Sequence, residues 1–118
     1  MLGLIIIDHG SRRSDANEQV KDMAERIRRL RPQAIIAIAH LEVTPPTLTE
    51  AVADVVANGA TEIVVLPYFL SQGRHVSTDI PAQLSQALTN HPRVKARIGG
   101  ALGPHDLLAS LLLERGQC

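Results

Sequence analysis

Residues 63–76, IVVLPYFLSQGRHV, decide the fold and indicate where its chemistry lies. The run 63–66 is apolar on both faces, which is typical of a parallel strand buried between layers of helices. The chain then turns polar over 71–73 and presents Arg74 and His75 ahead of a helix. Open α/β sheets gather their chemistry where strands end in such loops. We therefore predict a candidate site immediately after this strand.

The N-terminus repeats this order of an apolar run and a polar turn. Residues 2–7 are almost all aliphatic and predict a first strand, which is followed by a loop from Asp8 to Ser14 that begins DHGSR. A carboxylate, an imidazole, a glycine and a guanidinium thus share one short turn. His9 in this turn and His75 after the later strand become the first candidates for a shared site.

Alternating strands and helices extend over the rest of the chain. Predicted strands cover 2–7, 34–39, 62–66 and 94–98, and an amphipathic helix is predicted after each of them. The last strand alternates Lys95 and Arg97 with apolar residues, which favours an edge position. The fourth helix carries Leu107, Leu108, Leu111 and Leu112.

Capping residues predict where the helices begin. Ser14 is the expected cap of the first helix, and Thr44 before Pro45-Pro46 is the expected start of the second. The third helix is expected to start near Thr78 or Asp79, with Pro81 in its first turn.

Four βα units with short connections imply right-handed crossovers and an α/β fold with helices on both faces of a parallel sheet. The predicted strand order is 2-1-3-4, the beginning of a flavodoxin-like sheet, and residues 1–118 form a single domain. This order places the crevice of the sheet between its first and third strands, above their carboxyl ends. His9 and His75 then follow two neighbouring strands, about 4.8 Å apart.

Composition excludes several classes of function. Hydrophobic residues make up 45% of the chain, but aromatic residues only 2%, too few for a base-stacking platform. The formal net charge of zero also argues against a nucleic-acid partner. The only cysteine is Cys118, so neither an internal disulfide nor a thiolate zinc site is possible. The first apolar run breaks at Asp8, too early for a signal peptide or membrane span, and we expect a cytoplasmic protein without a membrane partner.

Histidines are concentrated at the predicted carboxyl edge of the sheet. His9 and His75 offer two imidazoles, which suit divalent cobalt, nickel, iron or zinc. A site with only two protein ligands leaves metal positions open for a substrate. His40 and His105 fall on the same edge, but a lone histidine at a strand end is more often a hydrogen-bonded loop residue.

Other chemistries fit less well. The chain contains no G-x-S-x-G elbow, no Walker loop and no G-x-G-x-x-G. A phosphoacceptor aspartate at the end of the third strand is absent, because residues 67–69 read PYF. Flavin binding stays open on topology alone, with Tyr68 and Phe69 as the only aromatic side chains.

Two motifs resemble those of the class II tetrapyrrole chelatases, and of the short CbiX type in particular. They are IDHGSR at 7–12 and LPYFLSQGRHV at 66–76, the second followed by Asp79-Ile80-Pro81. Residues 40–46, HLEVTPP, are similar to the family segment that bears a substrate-facing glutamate. The resemblance extends over essentially the whole chain in order and length.

This resemblance implies insertion of a divalent metal, cobalt foremost with Ni²⁺ or Fe²⁺ as alternatives, into sirohydrochlorin. Two protons are released and no organic cofactor takes part. By resemblance, His9 and His75 are catalytic and hold the incoming metal, and His9 is the preferred general base. Glu42 helps to bind or deprotonate the macrocycle. The loop that lines the tetrapyrrole consists of Leu70, Ser71, Gln72, Gly73 and Arg74.

Since the substrate is ringed with carboxylates, Arg12, Arg13 and Arg74 are candidate anion partners. Short members of the family are similar to one half of longer two-domain chelatases and form homodimers, which implies a homodimer here. The same residues would also suit a non-catalytic carrier of metal or tetrapyrrole. A flavodoxin-like cofactor-binding domain is the third interpretation.

Overall fold

The structure, a computed structural model that describes residues 1–118, is a four-stranded parallel sheet with helices on both faces. The strands are β1 (Leu2–Asp8), β2 (Ile35–His40), β3 (Glu62–Pro67) and β4 (Lys95–Ile98). The helices are α1 (Ser14–Leu30), α2 (Leu48–Ala57), α3 (Ile80–Ala87) and α4 (Asp106–Arg115). The strands lie in the order β2-β1-β3-β4, so the predicted topology is confirmed.

β1 lies at the centre of the fold because it has strands on both edges and helices on both faces. Its Leu4 pairs with Ile36 of β2 and with Val64 of β3. The main core, a cluster of 15 buried residues, fills the space between the sheet and helices α2 and α3. Under α1 only Ile6, Val20 and Ala24 are buried together. The two faces of the sheet are therefore unequally covered.

Two helix starts differ from the predictions. Ser14 is the first residue of α1 rather than its cap, and Arg13 occupies the N-cap position without a hydrogen bond from its side chain to the first helical turn. The side chain of Asn17 instead ties the preceding loop down, since it accepts from Ser11 N (3.0 Å) and donates to Ser11 O (2.8 Å). Asn17 thereby satisfies two backbone groups of Ser11 in the loop before the helix, rather than the N–H groups of the first helical turn.

The second helix begins three residues later than predicted. Thr47, not Thr44, caps α2, and it forms a capping box with Glu50 in which each side chain accepts the other residue's backbone N–H (both 3.1 Å). Two orphan N–H groups are satisfied this way, whereas a start at Thr44 would satisfy one. Pro45 and Pro46 lie in the loop, where Pro46 O accepts from His40 N (2.8 Å). Gly59 follows the end of the helix with φ +107°, a conformation that glycine adopts without strain.

A π-helical turn, His75–Asp79, precedes α3 and was not predicted. α3 follows at Ile80 with Pro81 in its first turn, and a 3₁₀ turn (Leu88–Asn90) ends the segment. Residues 75–79 therefore form part of a continuous helical segment, which places His75 and Asp79 one turn apart on the same side.

α4 forms where the leucines predict it, but none of its residues is buried. Leu107 and Leu112 are 76% and 73% exposed. β4 is an edge strand, as predicted, and its Lys95 and Arg97 are exposed. None of the helices combines the length and the apolar character needed to cross a bilayer.

Candidate active site

Two imidazoles meet above the carboxyl ends of β1 and β3. His9 directly follows β1, and His75 opens the π-helical turn after β3. Their Nε2 atoms are 3.0 Å apart, and the rings are nearly perpendicular, at 88°, with centroids 4.4 Å apart. The convergence expected from the strand order is therefore present in the structure.

A carboxylate lies behind each imidazole. Asp79 Oδ2 is 2.8 Å from His75 Nδ1, within hydrogen-bonding distance. Glu42 Oε1 is 3.4 Å from His9 Nδ1, a looser contact. Because both carboxylates approach the Nδ1 atoms, both Nε2 atoms are left to face the shared point. Carboxylate–imidazole pairs of this kind orient histidines that bind metals.

A hydrogen-bonded pair, Asp8 and His40, forms the floor of the site. His40 Nδ1 lies 2.5 Å from Asp8 Oδ1, and His40, 2% exposed, is the one polar residue among the buried ones. Asp8 and His40 are register partners at the ends of β1 and β2. His40 is thus a hydrogen-bonded residue at a strand end, as expected, and it faces Asp8 rather than the point shared by the other two imidazoles.

Backbone pairing continues past the ends of β1 and β2 and carries Glu42 to His9. Leu41 N donates to Asp8 O (2.9 Å), and Glu42 N donates to His9 O (3.2 Å). Gly10 lies against this segment with φ +92°, and a Cβ atom at its position would be 2.0 Å from the carbonyl oxygen of Glu42. Only glycine allows the two loops to approach so closely.

The loop between β3 and the π-helical turn is exposed but anchored. Leu70 O accepts from Gly103 N (3.0 Å), and Gln72 Oε1 accepts from Ala101 N (3.1 Å). These bonds connect the loop with the segment after β4. All the loop residues expected to line a tetrapyrrole are exposed: Leu70, Ser71, Gln72, Gly73 and Arg74.

The three candidate arginines differ in their surroundings. Arg13 forms an exposed salt bridge with Asp15 (2.9 Å). Arg12 and Arg74 are exposed, and neither forms a salt bridge within the chain. Arg12 and Arg74 are therefore the two candidates without a carboxylate partner in the chain.

The remaining histidines take structural positions. His105 Nδ1 accepts from Leu107 N (3.0 Å) and caps α4, a hydrogen-bonded loop role as expected. His91 follows the 3₁₀ turn at the opposite edge of the sheet. Neither contributes to the pair formed by His9 and His75.

The cavity beside His9 is shallow. It has a volume of about 270 Å³ and is lined on one side by the turn 8–11 and on the other by Tyr68 and Phe69. A larger cavity, about 530 Å³, lies at the outer edge of β2 between α1 and α2, and no histidine lines it. The smaller opening is the better candidate for a transition-metal site, because no imidazole or thiolate lines the larger one.

Sequence reasoning overlooked Asp79 as a functional residue. Its spacing of four from His75 was visible in the sequence, but the segment was expected to be a loop, in which that spacing carries no information. Phe69 was also given no role near the histidines. Its ring centroid lies 6.3 Å from that of His9 and 6.4 Å from that of His75, so it forms an apolar wall beside both.

The donor set at the shared point consists of two imidazole nitrogens. No group of three or more His, Cys, Asp or Glu side chains is arranged to hold a metal ion. A closed structural metal site has about four protein ligands, so this arrangement is suited to a metal that also binds something else. An α/β domain with such a pair at its switch point has the character of a metal-handling protein.

The family is shown by comparison with known proteins. The CbiX family model matches residues 3–117, and the chain belongs to that family. It is 36% identical over 122 residues to a sirohydrochlorin cobaltochelatase of Methanococcoides burtonii, with 97% of this chain and 93% of the relative covered. It is also 36% identical over 115 residues to a chloroplastic sirohydrochlorin ferrochelatase of Arabidopsis thaliana, with 98% of this chain and 51% of the relative covered.

Two solved structures superpose on this chain and have the same fold. The sirohydrochlorin chelatase SirB of Bacillus subtilis subspecies spizizenii, in complex with cobalt, superposes with a TM-score of 0.92 at 24% identity, over 98% of this chain and 50% of that one. A CbiX protein of Marinobacter aquaeolei superposes with a TM-score of 0.82 at 26% identity, over 99% and 95%. The chain thus spans about half the length of SirB and of the Arabidopsis relative, but nearly all of the M. burtonii and M. aquaeolei proteins.

Proposed function

We propose that this chain inserts a divalent metal into sirohydrochlorin, with loss of two pyrrole protons and without an organic cofactor. The observation that carries the proposal is the 3.0 Å approach of His9 Nε2 to His75 Nε2 at the switch point of the sheet. The names of the relatives supply the substrate, since both the cobaltochelatase and the ferrochelatase are named for sirohydrochlorin.

The two nitrogens are close enough to bind one metal and leave most of its positions open. Each Nε2 supplies one donor, and the other positions remain free for pyrrole nitrogens. Cobalt, nickel and iron all accept such nitrogen donors.

Insertion also requires a base for the pyrrole protons. We propose His9 for this role, because an imidazole nitrogen can accept a proton and can also release a metal. Glu42 supports it, since its carboxylate lies 3.4 Å from His9 Nδ1 and stabilises the protonated ring. Both side chains are about half exposed, at 49% and 54%, so an incoming macrocycle can reach them.

Substrate carboxylates require cations at the rim of the site. We propose Arg12 and Arg74 for this role, because both are exposed and without an internal carboxylate partner. A guanidinium binds a carboxylate through two parallel hydrogen bonds, which would orient the macrocycle as well as attract it. The loop 70–74 would contact one face of the ring.

Cobalt is the proposed metal. Relatives that are covered over most of their own length, such as those of M. burtonii and Methanosarcina acetivorans (93% and 95% of the relative), are named cobaltochelatases. The expected cytoplasmic location stays a prediction, since the Arabidopsis relative is described as chloroplastic.

A homodimer is proposed because one chain offers only part of a tetrapyrrole site. The cavity beside the histidines, about 270 Å³, is below the range of about 300–1,000 Å³ that is usual for ligand sites. SirB has about twice the length of this chain and superposes with it over one half. A second copy would take the place of the other half and close the site.

The unequal layers of the fold suggest how two copies meet. Beside α1, two adjoining cavities of about 330 and 200 Å³ share Ile27 and Leu66, and we call them together the α1–β3 trough. The exposed leucines of α4 would fill an apolar trough of this kind in a partner. Arg31 and Arg97 line the trough, and the exposed charges of α4 are the acidic Asp106 and Glu114 and the basic Arg115, so the helix has an acidic excess that would favour this contact.

Metallation of sirohydrochlorin tests the activity. Absorbance is followed anaerobically with Co²⁺, Ni²⁺ and Fe²⁺ supplied separately, for the wild-type chain, His9→Ala and His75→Ala. His91→Ala is the matched control, because His91 lies at the opposite edge of the sheet. We expect the wild type and the control to exceed the protein-free rate, fastest with cobalt, and both site variants to lose the acceleration.

A wild-type rate equal to the protein-free rate for every metal would overturn the enzymatic proposal. If the protein then still bound Co²⁺ or the tetrapyrrole through His9 and His75, a carrier would be the better description. A faster reaction with nickel or iron would replace cobalt as the metal and leave the chelatase proposal in place.

A further inference from the structure

The contact between Asp79 and His75 is the shortest one that a carboxylate makes with either imidazole of the pair. Asp79 Oδ2 lies 2.8 Å from His75 Nδ1, and the two residues are the last and first of the π-helical turn. Glu42, by comparison, lies 3.4 Å from His9 Nδ1. The two imidazoles therefore have unequal partners.

A carboxylate in this position determines which nitrogen of His75 carries the proton. An ionised carboxylate can only accept hydrogen bonds, so the nitrogen facing it must be the donor. His75 Nδ1 then carries the hydrogen and Nε2 presents its lone pair. That lone pair faces the shared point, because His75 Nε2 is the atom closest to His9.

A free Nε2 on His75 also gives the contact between the two rings a direction. With a lone pair on His75 Nε2, the 3.0 Å hydrogen bond between the rings has His9 Nε2 as its donor. An incoming metal would replace the shared proton and meet one nitrogen that is already free.

We propose that Asp79 is a positioning residue that holds His75 in the tautomer with a free Nε2, so that His75 presents a lone pair to the shared point before a metal arrives. The inference rests on the proposed function, since it concerns how one of the two proposed metal ligands is held ready. Asp79 acts through His75 and touches no reacting atom.

The tautomer can be measured directly in the metal-free protein. Long-range ¹H–¹⁵N spectra, recorded where imidazole is neutral, report which nitrogen of His75 carries hydrogen in the wild type and in Asp79→Asn. Asparagine has the same shape but can also donate, so it no longer forbids a lone pair on Nδ1. We expect a protonated Nδ1 in the wild type and a mixture of both tautomers in Asp79→Asn.

Cobalt binding gives the second readout, by titration of the metal-free protein with Co²⁺. We expect Asp79→Asn to weaken binding by about 10–100-fold, as removal of an outer-shell partner usually does. Asp79→Glu restores a carboxylate and should recover both the wild-type tautomer and most of the affinity. Asp22→Asn is the matched control, because Asp22 is an exposed helical carboxylate paired at i,i+4 with Arg26 (3.0 Å).

A hydrogen on His75 Nε2 in the wild type would overturn the inference. So would an Asp79→Asn protein with unchanged tautomer and unchanged Co²⁺ affinity. The spectra require no chelatase activity, so the two proposals can fail separately. A wild-type His75 with a free Nε2 in a protein that inserts no metal would support this inference and reject the proposed function.

Discussion

At the scale of single residues, the His40–Asp8 pair holds the floor of the site, and its loss should be costly. His40→Leu would keep an apolar side chain of similar size but would leave the Asp8 carboxylate, 17% exposed, without its partner. We expect the free energy of unfolding to fall by about 1–3 kcal/mol, the usual cost of an unsatisfied buried polar group. Urea denaturation measures it. His91→Leu, which removes no side-chain hydrogen bond, should cost much less, and equal losses in both variants would contradict this account.

Gly10 is the second residue whose replacement has a defined consequence. An alanine methyl would enter the space of the Glu42 carbonyl, 2.0 Å away, at a backbone φ of +92° that favours glycine. We expect Gly10→Ala to lower the free energy of unfolding by about 1–3 kcal/mol. The rate of metal insertion should fall by more than the loss of folded protein explains, because the Glu42 segment must move away from His9.

Gly100→Ala is the control for this substitution, since a Cβ at Gly100 meets nothing within 4 Å. It should leave the unfolding free energy within about 0.5 kcal/mol of the wild type. If Gly10→Ala were as well tolerated and metallation were unchanged, the close approach of the two loops would not matter for the site.

At the scale of elements, the capping box of α2 distinguishes two neighbouring threonines. Thr47→Ala removes the side chain that accepts from Glu50 N and should cost about 1 kcal/mol of unfolding free energy. Thr44→Ala should cost less than about 0.5 kcal/mol, because the only hydrogen bond of that hydroxyl is a 3.4 Å contact with Pro45 O. Urea denaturation of both variants tests this. A larger loss at Thr44 would favour the helix start predicted from sequence.

The sequence predicts the strands better than the helix starts, for a physical reason. The first three strands are short apolar runs that are stable only when covered, and short right-handed crossovers limit the possible strand orders. A helix start depends on competition between nearby caps. Thr44-Pro45-Pro46 has a plausible local signal, but Thr47 and Glu50 satisfy two backbone groups together and determine the start.

The sequence likewise predicts one part of the site and not the other. The topology predicts that His9 and His75 meet, because their strands are neighbours. The carboxylates behind them do not follow from it. Glu42 reaches His9 through backbone bonds beyond the strand ends, and Asp79 reaches His75 through a π-helical turn for which we know of no sequence signal.

At the scale of the whole molecule, α4 extends the fold without packing into its core. The radius of gyration, 14.5 Å, exceeds the value of about 13.5 Å expected for a compact chain of this length. The principal extents are 49, 30 and 26 Å, so the molecule is elongated. The sequence does not predict that the leucines of α4 are exposed. Their periodicity would be the same whether they packed against their own chain or against a partner.

Breaking the proposed contact between α4 and the α1–β3 trough is the test at this scale. Leu112, 73% exposed on α4, and Leu30, 70% exposed at the trough, are the positions to change. A leucine buried at an interface contributes about 1.5–3 kcal/mol, and a carboxylate in its place adds a desolvation cost. We expect Leu112→Glu and Leu30→Glu each to shift the protein from dimer to monomer in light scattering after size-exclusion chromatography, and to reduce sirohydrochlorin metallation.

Ala53→Glu is the matched control, because it adds the same charge at an exposed position of α2, away from both surfaces. This variant should remain dimeric with the wild-type rate of metallation. A wild-type protein that is monomeric at every concentration would reject the dimer itself. A dimer that persists in both leucine variants would place the interface elsewhere. Monomeric variants that keep the full rate would instead show that one chain completes the site alone, so that the shallow cavity beside His9 suffices for the macrocycle.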